Sequence, residues 1–288
     1  MDIDDLRVLV EVADAGGVAS GARRLGLAKS IVSRRLTRLE NTIGVQVLSR
    51  TTKGSVLTEA GATFRDHALK IIAELETAQE AISPDGVLMG RFRIAAPQSL
   101  GVSQLAPLIA KLAQRHPQLE IDTHYSDRFV DLVGEGFDCS IRLGILPDSN
   151  LIARRICSFK AYMVASPEYL ATHGKPKNLE ELSHHQAIIK KGEIWKVIDN
   201  GKLVNLCPKG RFTSDNGEAV LAAALSGIGV AGLPDFLVGQ YLENGQLVPI
   251  LTNYNIPELG MFIVRPAGSA PNRKVNELAN VLIEHFGC

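Results

Sequence analysis

The amino-acid sequence predicts an α/β protein in three parts: an all-α module with a small β wing, one long helix, and a larger region of alternating strands and helices. Three observations predict it. Apolar residues recur at helical spacing up to Ile43, no proline interrupts residues 58–83, and strand-like runs alternate with helix-like ones from Gly90 onward. At 288 residues the chain has room for roughly two domains of about 150 residues, each with a real core. Its 45% hydrophobic and 22% charged residues are ordinary for a globular protein and exclude wholesale disorder.

Composition also bounds the compartment. Cys139, Cys157, Cys207 and Cys288 show no C-x-x-C spacing, so neither a disulfide scaffold nor a zinc cluster is expected. The start, MDIDDLRVLV, is acidic where an export signal needs positive charge. The longest charge-free apolar stretch, Ala219 to Pro234, is too short for a bilayer span of about 20 residues, and Gly227, Gly229 and Gly232 interrupt it. A cytoplasmic protein with no membrane partner, no metal and no cofactor is expected.

The first helix carries Ile3, Leu6, Leu9, Val10 and Ala13 on one side and ends at Gly16-Gly17. A second short helix turns Val18, Ala22 and Leu25 inward, and Gly26-Leu27-Ala28 makes a tight turn. The third helix places Val32, Leu36, Leu39 and Ile43 on one face. Its opposite face collects Lys29, Ser30, Ser33, Arg34 and Thr37, with Arg38 flanking. Two short helices around a three-residue turn, the second exposing Lys, Ser and Arg, form a helix-turn-helix. Such a helix fits the DNA major groove, where Arg or Lys bonds guanine and Ser bonds several base edges. Val45 to Leu57 reads as a two-stranded wing whose tip brings Arg50, Thr52 and Lys53 to phosphate or the minor groove.

Charge distribution agrees. The chain has 31 basic and 31 acidic residues, yet the window 23–53 holds eight basic residues and one acid, Glu40. A local charge of +7 against −7 on the rest is the footprint of a polyanion-binding module.

The run GARRLGLAKSIVSRRLTRLENTIGVQVLSRTTKGSVLTEAG resembles the winged helix-turn-helix of LysR-type transcriptional regulators. The matching marks are A-x-x-L in helix two, V-S-R in helix three, the R-T pair and L-T-E-A-G. The family's usual S-Q entering helix three is here Ala28-Lys29. Ala28 cannot cap as Ser does, and Lys29 in place of Gln changes the preferred bases. Gly21 inside helix two costs about 1 kcal/mol against Ala.

Over Thr58 to Ser83, Phe64, Ala68, Ile71, Leu75, Ala78 and Ile82 are spaced as an a/d heptad seam, with Leu69 and Ile72 adding width. This reads as a dimerisation helix, as the resemblance also implies. A dimer or tetramer would set paired recognition helices on a roughly palindromic operator in double-stranded DNA.

Beyond Gly90, strands are expected at Arg91–Ala96, Leu119–Tyr125, Cys139–Leu143 and Ile228–Leu233, with helices ending at Arg115 and spanning Asp127–Gly136, Asn216–Ser226 and Pro271–Phe286. Successive β-α-β units predict parallel sheets. Asn200-Gly201 marks a hairpin. The runs RIAAPQSLG, IRLGILPDS, VASPEYL and GLPDFL resemble the LysR effector domain, which implies a two-lobed fold like periplasmic binding proteins. Domains are then expected at 1–58 (DNA-binding), 59–89 (linker and hinge) and 90–288 (effector-binding), with lobe I at 90–160 plus 266–288 and lobe II at 161–265. A small-molecule effector would bind between the lobes. The positions reaching that cleft are Ser99, Leu100, Ser126, Asp127, Arg142 to Ile145, Ser214 to Asn216, and Leu233.

Two roles suit Ser99: contact with an anion such as a carboxylate at a helix start, or a cap serving only that helix. Arg142 suits an anionic effector, or neutralisation of Asp138 or Asp148. Gly227 to Gly232 spells G-x-G-x-x-G, but a helix precedes it and a strand follows, the reverse of a nucleotide-binding turn. His184-His185 lacks further ligands and reads as a polar helix start. Cys157 and Cys207 are candidates for a redox pair, against the commoner role of buried small hydrophobes. No nucleophile motif appears, so an enzyme is disfavoured, as is an exported solute-binding protein. The leading expectation is an effector-controlled DNA-binding regulator.

Overall fold

The computed structural model describes residues 1–51, 54–81, 88–144, 146, 149–267 and 273–287; for residues 50, 51, 77, 80 and 81 it describes backbone only. The chain opens with α1 (Ile3–Asp14), α2 (Val18–Arg24) and α3 (Lys29–Ile43), followed by the wing strands β1 (Leu48–Thr51) and β2 (Gly54–Leu57), paired antiparallel from Leu48↔Leu57 to Thr51↔Gly54. Leu6, Leu9 and Val12 of α1 meet Val32, Leu36 and Leu39 of α3 in one buried core. Gly21 explains itself here: a Cβ at that position would sit 2.7–2.8 Å from Val12, so α1 and α2 cross closely only because it is glycine. No side chain caps α3 at Ala28.

The long helix α4 (Glu59–Ala81) divides into two halves. Ala68 is buried in the head's own core, and Phe64, Leu69 and Ile72 pack against it. Phe64 and Ala68 therefore face their own domain rather than a partner, correcting the expected seam. Ile71 and Ala78 are exposed and Leu75 is half-buried, while Ile82 lies outside the described residues.

The remainder forms two five-stranded sheets. In the first, β3 (Met89–Ala96) is followed by α5 (Gln98–Leu100), a π-helical turn (Gly101–Leu105) and α6 (Ala106–Arg115), then β4 (Gln118–Tyr125), β5 (Cys139–Leu143) and β6 (Ile152–Phe159). The second lies in a stretch comprising β7 (Ala161–Ala165), α7 (Pro167–His173), α8 (Leu179–Leu182), β8 (Ala187–Lys190), the separate two-stranded hairpin β9 (Trp195–Asp199) and β10 (Lys202–Leu206), β11 (Phe212–Ser214), α9 (Gly217–Leu225), β12 (Val230–Pro234), α10 (Asp235–Glu243) and β13 (Val248–Ile250). The chain then returns through β14 (Leu259–Arg265) to α11 (Arg273–Phe286). Strand orders are β4-β3-β5-β14-β6 and β11-β8-β12-β7-β13.

Both sheets are mixed, not parallel as expected. β3, β4 and β5 run parallel, as do β8, β11 and β12, but β14, β7 and β13 pair antiparallel. The reason is the crossing between lobes, which brings the chain back in the opposite sense. It also moves a boundary: β14 pairs with β5 and β6, so the second lobe ends before Leu259 and not at Arg265. The crossing at Lys160 is fastened by reciprocal bonds with Asp235, at 2.8 and 3.1 Å.

A further correction concerns Asp127–Gly136, which forms turns instead of a helix. Asp131 Oδ1 accepts from the amides of Val133 and Gly134, and Glu135 Oε1 accepts from that of Asp131. These side-chain bonds offer the backbone an alternative to helical pairing, and Gly136 takes φ 71° to close the turn. His184 and His185 lie just after α8, not at a helix start, and the described residues hold no cluster that could bind a metal. Cys157 is buried in the first lobe while Cys207 is exposed in the second, so the fold does not build the candidate redox pair. No helix among the described residues is long and apolar enough to cross a membrane.

Candidate nucleic-acid interface and effector cleft

Helix α3 sorts its residues cleanly. Val32, Leu36 and Leu39 are buried; Lys29, Ser30, Arg34 and Thr37 are exposed and Ser33 half-exposed. Among the described residues, these five side chains make no hydrogen bond or ion pair. That leaves them available to base edges.

The neighbouring arginines are committed elsewhere. Arg38 donates Nε and Nη2 to the buried Asp5 carboxylate at 2.9 and 2.5 Å, locking α3 to the start of α1. Burial pushes the Asp5 carboxyl up, but the Arg38 bonds, the Asp2 amide and the guanidinium charge outweigh it, leaving it below the usual carboxylate range. Arg35 pairs with Asp4 at 2.8 Å and Arg24 with Glu11 at 3.3 Å. Three of the eight basic residues thus meet acids from α1 that lie outside the sequence window, and the folded face is less positive than +7. Glu40, the window's acid, accepts from the amides of Val47 and Leu48 at 2.9 and 3.3 Å, which anchors the wing to α3. Sequence reasoning missed these roles. The Arg50 side chain, Thr52 and Lys53 lie outside the described parts.

In the larger domain the expected cleft residues divide. Leu100 and Leu233 are buried in the cores of the first and second lobes, so neither faces a ligand. Ser99 does bridge the lobes: its hydroxyl is 3.3 Å from where a Cβ on Gly217 would stand, at the start of α9. Ser99 does not cap α5, whose cap position is Pro97. That role falls to Asp127, whose Oδ1 accepts from the Gln98 amide at 3.1 Å. A carboxylate therefore already occupies the helix start where an anion was expected. Asp127 Oδ2 is buried with no hydrogen-bond partner among the described residues.

Arg142 donates to the Arg128 carbonyl at 2.9 Å and lies 4.7 Å over the Phe129 ring. It does not neutralise Asp138, which instead accepts from the Arg93 amide at 2.7 Å; Asp148 and Ile145 lie outside the described residues. Burial, then the nearby Arg128 charge, lowers the Arg142 pKa from its ordinary value. The Ser126 hydroxyl accepts from the Arg128 amide, and that of Ser214 from the Asn216 amide. Asn216 caps α9 by accepting from the amides of Glu218 and Ala219. Two surface cavities, about 370 Å³ beside Lys175 and Asn253 and about 180 Å³ beside His116 and Glu277, include none of these residues.

A DNA-facing helix-turn-helix joined to two α/β lobes defines a class of ligand-responsive DNA-binding regulators. Residues 3–62 match the bacterial regulatory helix-turn-helix family of the lysR type, and residues 85–287 match the LysR substrate binding domain. The chain belongs to the LysR family of transcriptional regulators. It is 33% identical over 291 residues to the HTH-type transcriptional regulator CrgA of Neisseria meningitidis, covering 99% of this chain and 97% of that one. The solved structure of CrgA, a LysR-type transcriptional regulator, aligns over 100% of both chains at 31% identity and a TM-score of 0.63. The full-length Vibrio cholerae virulence activator AphB aligns over 99% of both chains at 28% identity and a TM-score of 0.61.

Proposed function

We propose that Lys29, Ser30, Ser33, Arg34 and Thr37 read the bases of a roughly palindromic operator, with Arg50, Thr52 and Lys53 of the wing holding phosphate. The observation that carries this reading is the exposed, unpartnered polar face of α3 beside its buried apolar face. Arg38 serves by fixing the helix through Asp5 rather than by touching DNA. Anisotropy titration on the gene's own upstream region tests it: specific binding should exceed binding to random DNA and weaken steeply with salt. Equal affinity for both at every salt concentration overturns it. Ser33→Ala and Arg34→Ala should relax specificity by about 1–3 kcal/mol at one base pair each.

The two lobes bind a small polar effector without consuming it. An anionic group suits Arg142, and a hydroxyl or ammonium donor suits the unpaired Asp127 oxygen; Ser99, Ser126, Ser214 and Asn216 supply the remaining polar contacts. The protein works as a cytoplasmic homodimer or homotetramer joined along the outer half of α4. Thermal-shift screening of hydroxy- and amino-carboxylates, followed by recovery of the hit intact, separates binding from turnover. Ser99→Ala should abolish the thermal shift while leaving effector-free DNA binding unchanged.

A further inference from the structure

The loop 126–138, which replaces the expected helix, touches two regions the fold otherwise keeps apart. At its start lies the cleft: Asp127 holds the first amide of α5, and the Arg128 carbonyl holds Arg142. At its end, the carbonyls of Glu135 and Gly136 accept from Arg93 at 2.6 and 3.3 Å, and that of Gly134 accepts from Arg65 at 2.7 Å. The same two arginines hold the last residue of α1. Arg65 bonds Asp14 Oδ1 at 2.6 Å, and Asp14 Oδ2 lies 3.6 and 3.7 Å from Arg93 and Arg91. Arg91 also reaches Glu11 at 3.1 Å and Asp122 at 3.2 Å.

The loop is stiff between these ends. Arg128 grips Glu135 through two bonds, at 2.8 and 2.5 Å, and Arg93 stacks 4.8 Å over Phe137. Arg65 and Asp14 are each only 10% exposed, so their attraction is weakly screened. Asp14 Oδ2 is buried between guanidiniums without a hydrogen bond among the described residues. Charge holds it, but no directional bond among the described residues does.

We propose that the 126–138 loop is the relay through which the cleft sets the orientation of the DNA-binding head, with Arg65 and Arg93 as positioning residues and Asp14 as the head's anchor. This rests on the cleft being the effector site. A ligand that draws Arg142 from the Arg128 carbonyl, or Arg128 from Glu135, rebonds the loop whose carbonyls hold Arg65 and Arg93. An effector with different affinity for the two arrangements then shifts the head.

Hydrogen–deuterium exchange on the full-length, ligand-free protein tests the relay, because coupling between sites is reciprocal. Arg128→Gln, an exposed change at the cleft side, should speed exchange in residues 9–17 of the head by about threefold or more, roughly 0.65 kcal/mol by RT ln 3. Asp14→Asn should speed exchange in residues 127–137 to a similar degree. The buried central strand β12 of the second lobe serves as the control and should not change; if Arg128→Gln perturbs it, Arg142→Gln, which frees the Arg128 carbonyl, replaces that variant. Acceleration confined to each variant's own end overturns the relay. If the ends are coupled but no metabolite binds, the effector reading falls and the relay stands. If metabolites alter DNA binding while the ends exchange independently, the relay alone falls.

Discussion

Arg38 shows how a residue changes meaning between sequence and fold. Its neighbours on α3 face outward, and the spacing groups it with them. Its partner Asp5 is 33 residues away, so no local pattern could reveal the pair. Removing the guanidinium leaves a buried carboxylate without its strongest bonds. Arg38→Ala should therefore lower the urea midpoint of the head and weaken all DNA sequences together, read by denaturation and anisotropy. The pH sign follows from the depressed Asp5 pKa. Stability from the ionised carboxylate is present above the unfolded value near 3.8 and lost as pH falls through the folded value. Acid unfolding should move to higher pH in the Arg38→Ala variant. Gly21 is the opposite case: its helix-breaking cost was legible, but the Val12 contact that requires it was not. Gly21→Ala should destabilise by about 1–3 kcal/mol despite better helix propensity.

At the level of elements, α4 carries a heptad pattern whose two halves serve different ends. Phe64 and Ala68 complete the head's core, whereas Ile71 and Ala78 are exposed and Leu75 half-buried, which leaves them free for the partner helix proposed above. The spacing could not separate these uses because packing on a globular domain and on a second helix share the 3.5–3.6 residue period. Ile71→Asp together with Leu75→Asp should shift the oligomer toward monomer by light scattering without lowering helix content; Ala68→Asp should instead unfold the head. At the entrance to β5, Asp138 is a second hidden group. Burial lifts its carboxyl to about 6, against the partial relief of the Arg93 amide and the Lys274 charge. A raised folded pKa makes the protonated form the stabilised one. Its contribution is full below the unfolded value near 3.8 and lost as pH rises through about 6. Asp138→Asn should flatten that part of the stability–pH profile, measured by denaturation between those limits.

Across the whole molecule, the sequence disclosed the helix-turn-helix, the wing and the alternating order of the C-terminal region, because each follows from local periodicity and turn chemistry. The mixed sheets were not legible, since strand direction depends on where the chain crosses between lobes. The cleft was legible in outline only. Asp127 meets the Gln98 amide beside Ser99 through tertiary approach, while Leu100 and Leu233, at the ends of α5 and β12, turn into cores. The neutral total of 31 basic and 31 acidic residues likewise conceals a division, and folding softens it by setting α1 acids against α3 arginines. DNA affinity should therefore depend on salt less steeply than eight free cations would give, because three of them are already paired.

The crossing between lobes has one more consequence. Phe159 and Leu259, which flank the second lobe in sequence, are partners in register on adjacent antiparallel strands. The second lobe is thus an insertion whose entry and exit lie side by side, the arrangement in which domain exchange is best tolerated. A lobe from another regulator, grafted between these two residues, would meet the scaffold at a single paired junction. The second lobe's share of the proposed ligand contacts, Ser214 and Asn216, then becomes exchangeable cargo, while Ser99, Ser126, Asp127 and Arg142 stay with a chassis whose operator-reading surface lies in another part of the chain.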